Sequence, residues 1–328
     1  MKVGKVPPEI LKQYIFGHLG IRRQDVLVHS SLGEDCSVID FGDEVCVLSS
    51  DPITGAVKDI GRLAVNISCN DIAANGADPV GVLITILAPE GTTAEDFGRI
   101  MRQVDEAAKE LGIEVLGGHS EITAGIDRVI ISTTAVGRAR KSEYLTSSGA
   151  KPGYDLVVTK GAGLEGTAIL ATDFEGSLLS SMTLSEIQRA QSFIDLISVV
   201  KDGQVARKHG ATAMHDVTEG GILGAAYEMA VASNCGVELR VQDIPIYPET
   251  RAVCAYFQID PFALVSSGAM LIASADGNRT RDALIDAGIN AAVIGRFIPE
   301  GFYLIRENHR EAFQAPERDE LWKVFESS

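Results

Sequence analysis

The stretch SSDPITGAVKDIGRLAVNISCNDIAANGADP, residues 49–79, decides the reading of this chain. It follows an apolar run at 45–48 that reads as a strand. From Asp59 to Asn75, the positions Ile60, Leu63, Ala64 and Ile67 fall on one face of a helix. Gly76-Ala77-Asp78-Pro79 then turns the chain into a second apolar run, 80–87. Strand, helix and strand in this order point to an α/β domain. Two aspartates, Asp51 and Asp71, sit inside the stretch.

The pattern continues outward. Residues 26–28 read as a strand, and Pro7-Pro8 opens a helix that Gly20 closes, with Ile10, Leu11, Tyr14, Ile15 and Leu19 on its buried face. Thr92 and Glu95 form a capping-box pattern ahead of a helix running to Leu111. Strands follow at 113–116 and 129–136, with Gly117-Gly118-His119-Ser120 between them. The polar segment 138–154 carries Gly149, Pro152 and Gly153 and marks a boundary, giving domains 1–145 and 150–328. The second half restarts with a strand at 156–159 and helices in 164–173 and 183–208. The segment Ala213-Met214-His215-Asp216 leads to a helix over 221–233, and later strands fall at 237–241, 270–273 and 292–294.

At 328 residues the chain is long enough for two domains, and 45% hydrophobic residues supply a substantial core. A net charge of -16 repels nucleic acid and anionic lipid, so neither is an expected partner. A polyanionic substrate needs cations to screen it. The N-terminus has no apolar signal core, and no apolar run is long enough to span a membrane. Cys36, Cys46, Cys69, Cys235 and Cys254 form no CxxC pair and read as reduced core thiols of a cytoplasmic protein.

Chemistry is concentrated in four aspartates: Asp35 in GEDCSVI, Asp51 in SSDPITG, Asp71 in CNDIAANGADP and Asp216 in HDVTEGG. Carboxylates gathered in space are hard ligands suited to Mg²⁺, which itself grips phosphate oxygens. Taken singly, each could instead cap a helix or turn. Gly117-Gly118 and Gly220-Gly221 would let backbone N–H groups approach a phosphate, or simply make turns. The segment GAGLEG at 161–166 matches a dinucleotide-binding pattern, but the second acidic strand end it requires would fall in 180–188, a polar turn entering a helix. His119 and Glu121 make H-x-E without the downstream cysteines of a zinc deaminase. His215 beside Asp216 is either a proton shuttle or a hydrogen-bonded structural residue. Cys36, next to Asp35, reads as packing. No P-loop is present, so ATP would need another architecture.

Together, GEDCSVI (33–39), the opening stretch (49–79), GGHSEIT (117–123) and HDVTEGGILGAAYEMA (215–230) resemble, in this order, the superfamily of aminoimidazole ribonucleotide synthetase, HypE, thiamine-monophosphate kinase and selenophosphate synthetase. The most specific carrier is N-D-x-A-x-x-G-A-x-P, residues 70–79, and the texture of 49–136 looks most like HypE and its paralogues.

The resemblance implies a two-domain α/β (α+β) chain whose N-terminal halves pair in a homodimer and build a β-barrel at the interface. It implies an ATP groove between the domains, with Asp35, Asp51, Asp71 and Asp216 holding ATP through Mg²⁺. It places Gly117, Gly118, His119, Ser120 and Glu121, with Thr218, Glu219, Gly220 and Gly221, along the same groove. The implied activity is phosphoryl transfer from ATP to an amide or related oxygen of a small-molecule or protein-borne acceptor. Alternatives within the superfamily are a kinase like thiamine-monophosphate kinase and a selenophosphate synthetase-like enzyme; from another class comes a non-catalytic ATP-binding maturation partner. The sequence departs from HypE at its tail, which ends in Ser327-Ser328 where HypE carries a cysteine, so a HypE reaction on its own tail is not expected.

Overall fold

The computed structural model describes residues 4, 6–31, 33–54, 58–307 and 309–327, with the side chains of Pro8 and Ser327 left aside. Residues 55–57 of the opening stretch, the first three residues and Ser328 therefore lie outside the described residues.

The N-terminal domain holds α1 (Pro8–Ile10), β1 (Val26–Val28), β2 (Ser37–Asp40), β3 (Glu44–Ile53), α2 (Ile60–Ala74), β4 (Asp78–Ala88), α3 (Ala94–Leu111), β5 (Glu114–Ile122) and β6 (Ile130–Arg140). Its six strands lie in the order β1-β2-β3-β6-β4-β5. Only β4 and β5 pair in parallel, because α3 crosses over between them. Alternate residues of β3, such as Val45, Val47, Ser49 and Ile53, are buried on the face covered by α2. The other face stays open, with Val80, Leu83, Leu116 and Ile122 exposed on or beside β4 and β5. The sheet does not close into a barrel among the described residues, and β1 and β5 are its edges.

The C-terminal domain holds β7 (Asp155–Thr159), α4 (Leu164–Asp173), α5 (Glu175–Leu178), α6 (Leu184–Gln191), α7 (Val200–Lys208), β8 (Ala211–Asp216), α8 (Gly221–Ala232), β9 (Gly236–Arg240), α9 (Pro248–Phe257), β10 (Met270–Ser274), α10 (Gly277–Asp286), β11 (Ala291–Ile298), β12 (Phe302–Arg306), β13 (His309–Ala312) and α11 (Glu320–Ser327). Its sheet runs β13-β12-β9-β11-β7-β10-β8, antiparallel except where β12 meets β9. Both halves are thus mixed, mainly antiparallel sheets with helices on their faces.

Three expectations from sequence shift. The capping box of α3 is made by Thr93 and Asp96, one residue later than Thr92 and Glu95, and both reciprocal bonds are present. The N-terminal helix stops near Phe16 rather than Gly20, and Tyr14, Ile15 and Leu19 are exposed rather than buried. Gly117 to Ser120 do not form a loop between strands but lie within β5.

The domains share apolar material. Ile72 and Ala73 of α2 belong to one core with Ile197, Val199, Ala206 and Met214 from the second domain. Gly203 of α7 packs on the Ala73 carbonyl, where a Cβ would come within 2.6 Å of the oxygen. Gln204 donates to Asp78 at 2.9 Å. Asn70 fastens the same junction from both ends of its amide: Nδ2 donates to the Ile197 carbonyl at 2.9 Å, and Oδ1 accepts from Val199 N at 2.8 Å.

Candidate metal and phosphate site

Because Asn70 points at the second domain, its neighbour Asp71 is carried to the place where α2 meets β8, the edge strand of the second sheet. Asp216 ends β8, Asp51 lies near the end of β3, and Asp35 precedes β2. The four aspartates, distant in sequence, face one another. Ser49 ties two of them: its hydroxyl lies 3.1 Å from Asp51 Oδ2 and also in close contact with Asp71 Oδ2. One hydroxyl proton does not serve two carboxylates fully, so one of the pair carries a proton of its own or meets a cation, and burial favours Asp71 for that part.

The electrostatics agree. Burial pushes the Asp71 carboxyl well above the usual carboxylate range, and the charges of Asp216 and Asp51 push it further. Burial, then the charge of Asp35, lifts Asp216 to about 7 against the pull of His215. Cys36 is buried beneath the group, and burial followed by the aspartates, Asp71 foremost, drives its thiol well up. It packs in the core and is no nucleophile, as its sequence setting suggests.

His215 is only 2% exposed and lies between two carboxylates: Nδ1 is 2.7 Å from Asp35 and Nε2 is 2.9 Å from Glu228. Burial alone would lower its pKa, but Asp35 and then Glu228 outweigh that and raise it well above the ordinary value. The ring is therefore a cationic clamp that holds Asp35 in place rather than a proton shuttle. Asp35, His215 and Asp216 offer ligand atoms within 4.8 Å of one another.

The decisive detail is Asp216. It is 1% exposed, and apart from a contact with the Asp71 carboxyl neither of its oxygens has a hydrogen-bond partner. Such a group is costly unless a cation satisfies it. Hard oxygen donors from Asp35, Asp51, Asp71 and Asp216 suit a divalent cation such as Mg²⁺.

Thr218 to Gly221 form the turn directly after Asp216, leading into α8. Gly220 and Gly221 take left-handed φ values of 84° and 59°. Their amides are already engaged, Gly220 N with Asp319 Oδ2 at 2.7 Å and Gly221 N with the Thr218 carbonyl at 3.1 Å. The glycines thus shape the turn beside Asp216, and their own N–H groups are not open to a phosphate.

Gly117 to Glu121 are not brought to the aspartates within one chain. Asp51 faces Thr133, Thr133 faces Ile84, and Ile84 faces Gly118, so β5 lies three strand spacings away, roughly 14 Å. Gly118 has a φ of 150°, and a Cβ there would strike the Ile84 carbonyl. His119 pairs with Glu121 at 3.0 Å, both exposed.

The GAGLEG segment enters α4 with Gly163 at φ 72°, and a Cβ on Gly166 would meet Leu264 at 2.5 Å. Its glycines serve close packing, in keeping with the weak dinucleotide match.

The sequence matches the N-terminal domain model of AIR synthase related proteins over residues 33–139 and the C-terminal domain model over 151–306. A Methanocaldococcus jannaschii protein assigned to hydrogenase expression/formation is 30% identical over 302 residues, spanning 89% of this chain and 88% of that protein. The chain belongs to the AIR synthase related family. Among other relatives, the carbamoyl dehydratase HypE of Rhizobium leguminosarum bv. viciae is 28% identical over 257 residues, 75% of this chain and 70% of that one. The AIR synthase related fold is shared with a solved hydrogenase maturation protein HypE in complex with ATP, at a TM-score of 0.72 and 17% identity over 97% of each chain.

Sequence reasoning missed Asn70, Ser49, Glu228 and Asp319. Asn70 stood inside the most specific motif, yet nothing in the sequence says what its amide reaches.

Proposed function

We propose that this chain binds ATP together with Mg²⁺ at the aspartate cluster and cleaves it, activating an amide or related oxygen of an acceptor as HypE-type enzymes do. The observation that carries the reading is the Asp216 carboxyl, buried among three further carboxyls with no hydrogen-bond partner outside that acidic group. Relatives named carbamoyl dehydratase HypE support it, as does the shared fold of a HypE solved with ATP.

In this reading Asp35, Asp51, Asp71 and Asp216 hold the metal. Bound there, Mg²⁺ would supply positive charge against the phosphate oxygens and the charge that develops as the phosphoryl group moves. His215 holds Asp35 in place at 2.7 Å, and Glu228 keeps the ring in position. Ser49 bridges Asp51 and Asp71. Asn70 holds α2 against the second domain so that Asp71 stays opposite Asp216.

The acceptor in this reading is a small-molecule or protein-borne group; Cys254 is buried in α9 with its thiol pushed up to about 12 by burial, so it is a poor acceptor. We further propose domains at 1–145 and 150–328 and a homodimer through the open face of the first sheet. Pairing two such sheets would close a barrel and would bring Gly117 to Glu121 of one copy toward the aspartates of the other.

The test is calorimetry of ATP binding with and without Mg²⁺, followed by ADP release with candidate amide, thiamine-phosphate and selenide acceptors. Mg²⁺-dependent binding with acceptor-stimulated ADP release is the expected outcome. Equal or absent binding in both conditions refutes the metal reading, and a phosphorylated final product turns the reaction into that of a kinase.

A further inference from the structure

Behind the turn that follows Asp216 lies a carboxylate that the aspartate motifs do not include. Asp319, 3% exposed, sits just before α11 and accepts from backbone amides of different elements, Val265 among them. Its Oδ1 takes Leu321 N at 2.8 Å in the first turn of α11, and its Oδ2 takes Gly220 N at 2.7 Å. The first bond is an ordinary helix cap. The second is not needed for capping and crosses 99 positions of sequence.

What it holds is the turn that links the sheet to α8. The chain leaves the sheet at Val217, whose N donates to the Ala269 carbonyl at 2.9 Å. It re-enters regular structure at α8, where Leu223 N donates to the Phe262 carbonyl at 3.1 Å. Between these points lie two glycines in left-handed conformation, which fold easily and unfold as easily. Asp319 is itself anchored: Glu320 N donates to the Ala263 carbonyl at 3.3 Å, and Leu321 and Val324 pack in one cluster with Leu170, Val253 and Leu264.

We propose that Asp319 is a positioning residue for the metal site: by holding Gly220 N, it fixes the turn that carries Asp216, and so makes α11 part of the machinery that presents this ligand. The inference rests on the reading of Asp216 as a metal ligand, four residues before Gly220. Asp319 touches neither metal nor nucleotide and acts through the backbone alone.

The test separates the tether from the cap. Asn caps a helix about as well as Asp but has one carbonyl oxygen and would turn its amide toward one of the two N–H groups. Asp319→Asn is compared with the parent by amide hydrogen exchange across 217–224 in the ligand-free full chain, by thermal unfolding, and by titration with Mn²⁺ alone. The expected result is exchange in 217–224 and a Mn²⁺ dissociation constant that each rise about tenfold, the scale of one buried hydrogen bond, with little change in Tm. Unchanged exchange overturns the tether. Faster exchange with parental Mn²⁺ affinity overturns the positioning role, because a purely structural bond would give that pattern. A parent chain that binds no Mn²⁺ overturns the metal reading itself and this inference with it. If the Asn variant fails to fold, Asp319→Ser, which keeps a short cap acceptor for Leu321 and cannot span to Gly220, gives the same three readouts.

Discussion

Residues 70–79, the most specific motif, and residues 117–121 were both candidates for the site, yet they occupy opposite situations in the molecule. The first segment is buried almost throughout, with Asn70 clamped to the second domain and Asp71 in the acidic cluster. The second lies on an exposed edge strand, three strands from the nearest aspartate of the cluster. One chain therefore completes the task of the first motif and leaves the second without a partner. A polar group that is buried must find its partner inside the chain, whereas an exposed edge strand can find one outside it.

The largest expected effect tests the buried side. Asp71→Asn should weaken MgATP binding at least about 100-fold, beyond the ~10–100-fold typical of outer-shell partners, as read by calorimetry. The same variant should raise Tm in chelator at neutral pH, because the metal-free fold must take up a proton at Asp71 that the unfolded chain does not hold. Parental affinity would return Asp71 to a structural role and erase the contrast between the two segments.

Asn70→Ala strips partners from Ile197 O and Val199 N and should cost about 3 kcal/mol in urea unfolding. It should also weaken MgATP binding, since Asp71 follows it on α2. A loss below about 0.5 kcal/mol, the range of ordinary surface changes, would show that the domain junction does not depend on this clamp.

A third test extends the contrast to a buried carboxyl in the second domain. Burial raises Glu165 from the ordinary 4.5 to about 7, and its Oε2 has no partner. The folded chain thus keeps this proton up to about pH 7, while the unfolded chain releases it near 4.5. Stability from this group is whole below pH 4.5 and falls as pH rises to about 7. Glu165→Gln should equal the parent at pH 4 and be about 2–3 kcal/mol more stable at pH 8. A constant difference at all pH values would place the buried proton elsewhere.

The smallest effect on the fold belongs to the exposed side. Leu116→Asp, on the open edge strand, should leave the urea stability of the monomer within about 0.5 kcal/mol, compared below the concentration at which the parent dimerises. It should shift light scattering from dimer to monomer at micromolar concentration. Unchanged mass would mean that the open face of the first sheet is not the dimer surface, and that the GGHSE segment meets no aspartates from that direction.

Much of this was legible in advance. Helical periodicity placed α2 within a residue of its observed ends, because a helix covered on one face must repeat its apolar residues every three or four positions. Four short motifs named the four aspartates that do converge. The same reading put Gly117 to Ser120 in a loop, since two glycines look like a turn; they are in β5 because a Cβ at Gly118 would strike the neighbouring strand. It also gave Tyr14, Ile15 and Leu19 a buried face that the chain does not supply.

The sequence by itself determined which acidic and glycine-rich motifs were candidates for chemistry and which local elements hold most of them, because residue type, periodicity and turn preference are properties of short segments. Only the tertiary structure decided which carboxylates share one volume, that His215 is a clamp between Asp35 and Glu228, and that Asp319 reaches Gly220 from nearly a hundred residues away. These depend on distances between elements far apart in the chain. Burial then sets the charge state of each group, and burial exists only once the two domains have packed.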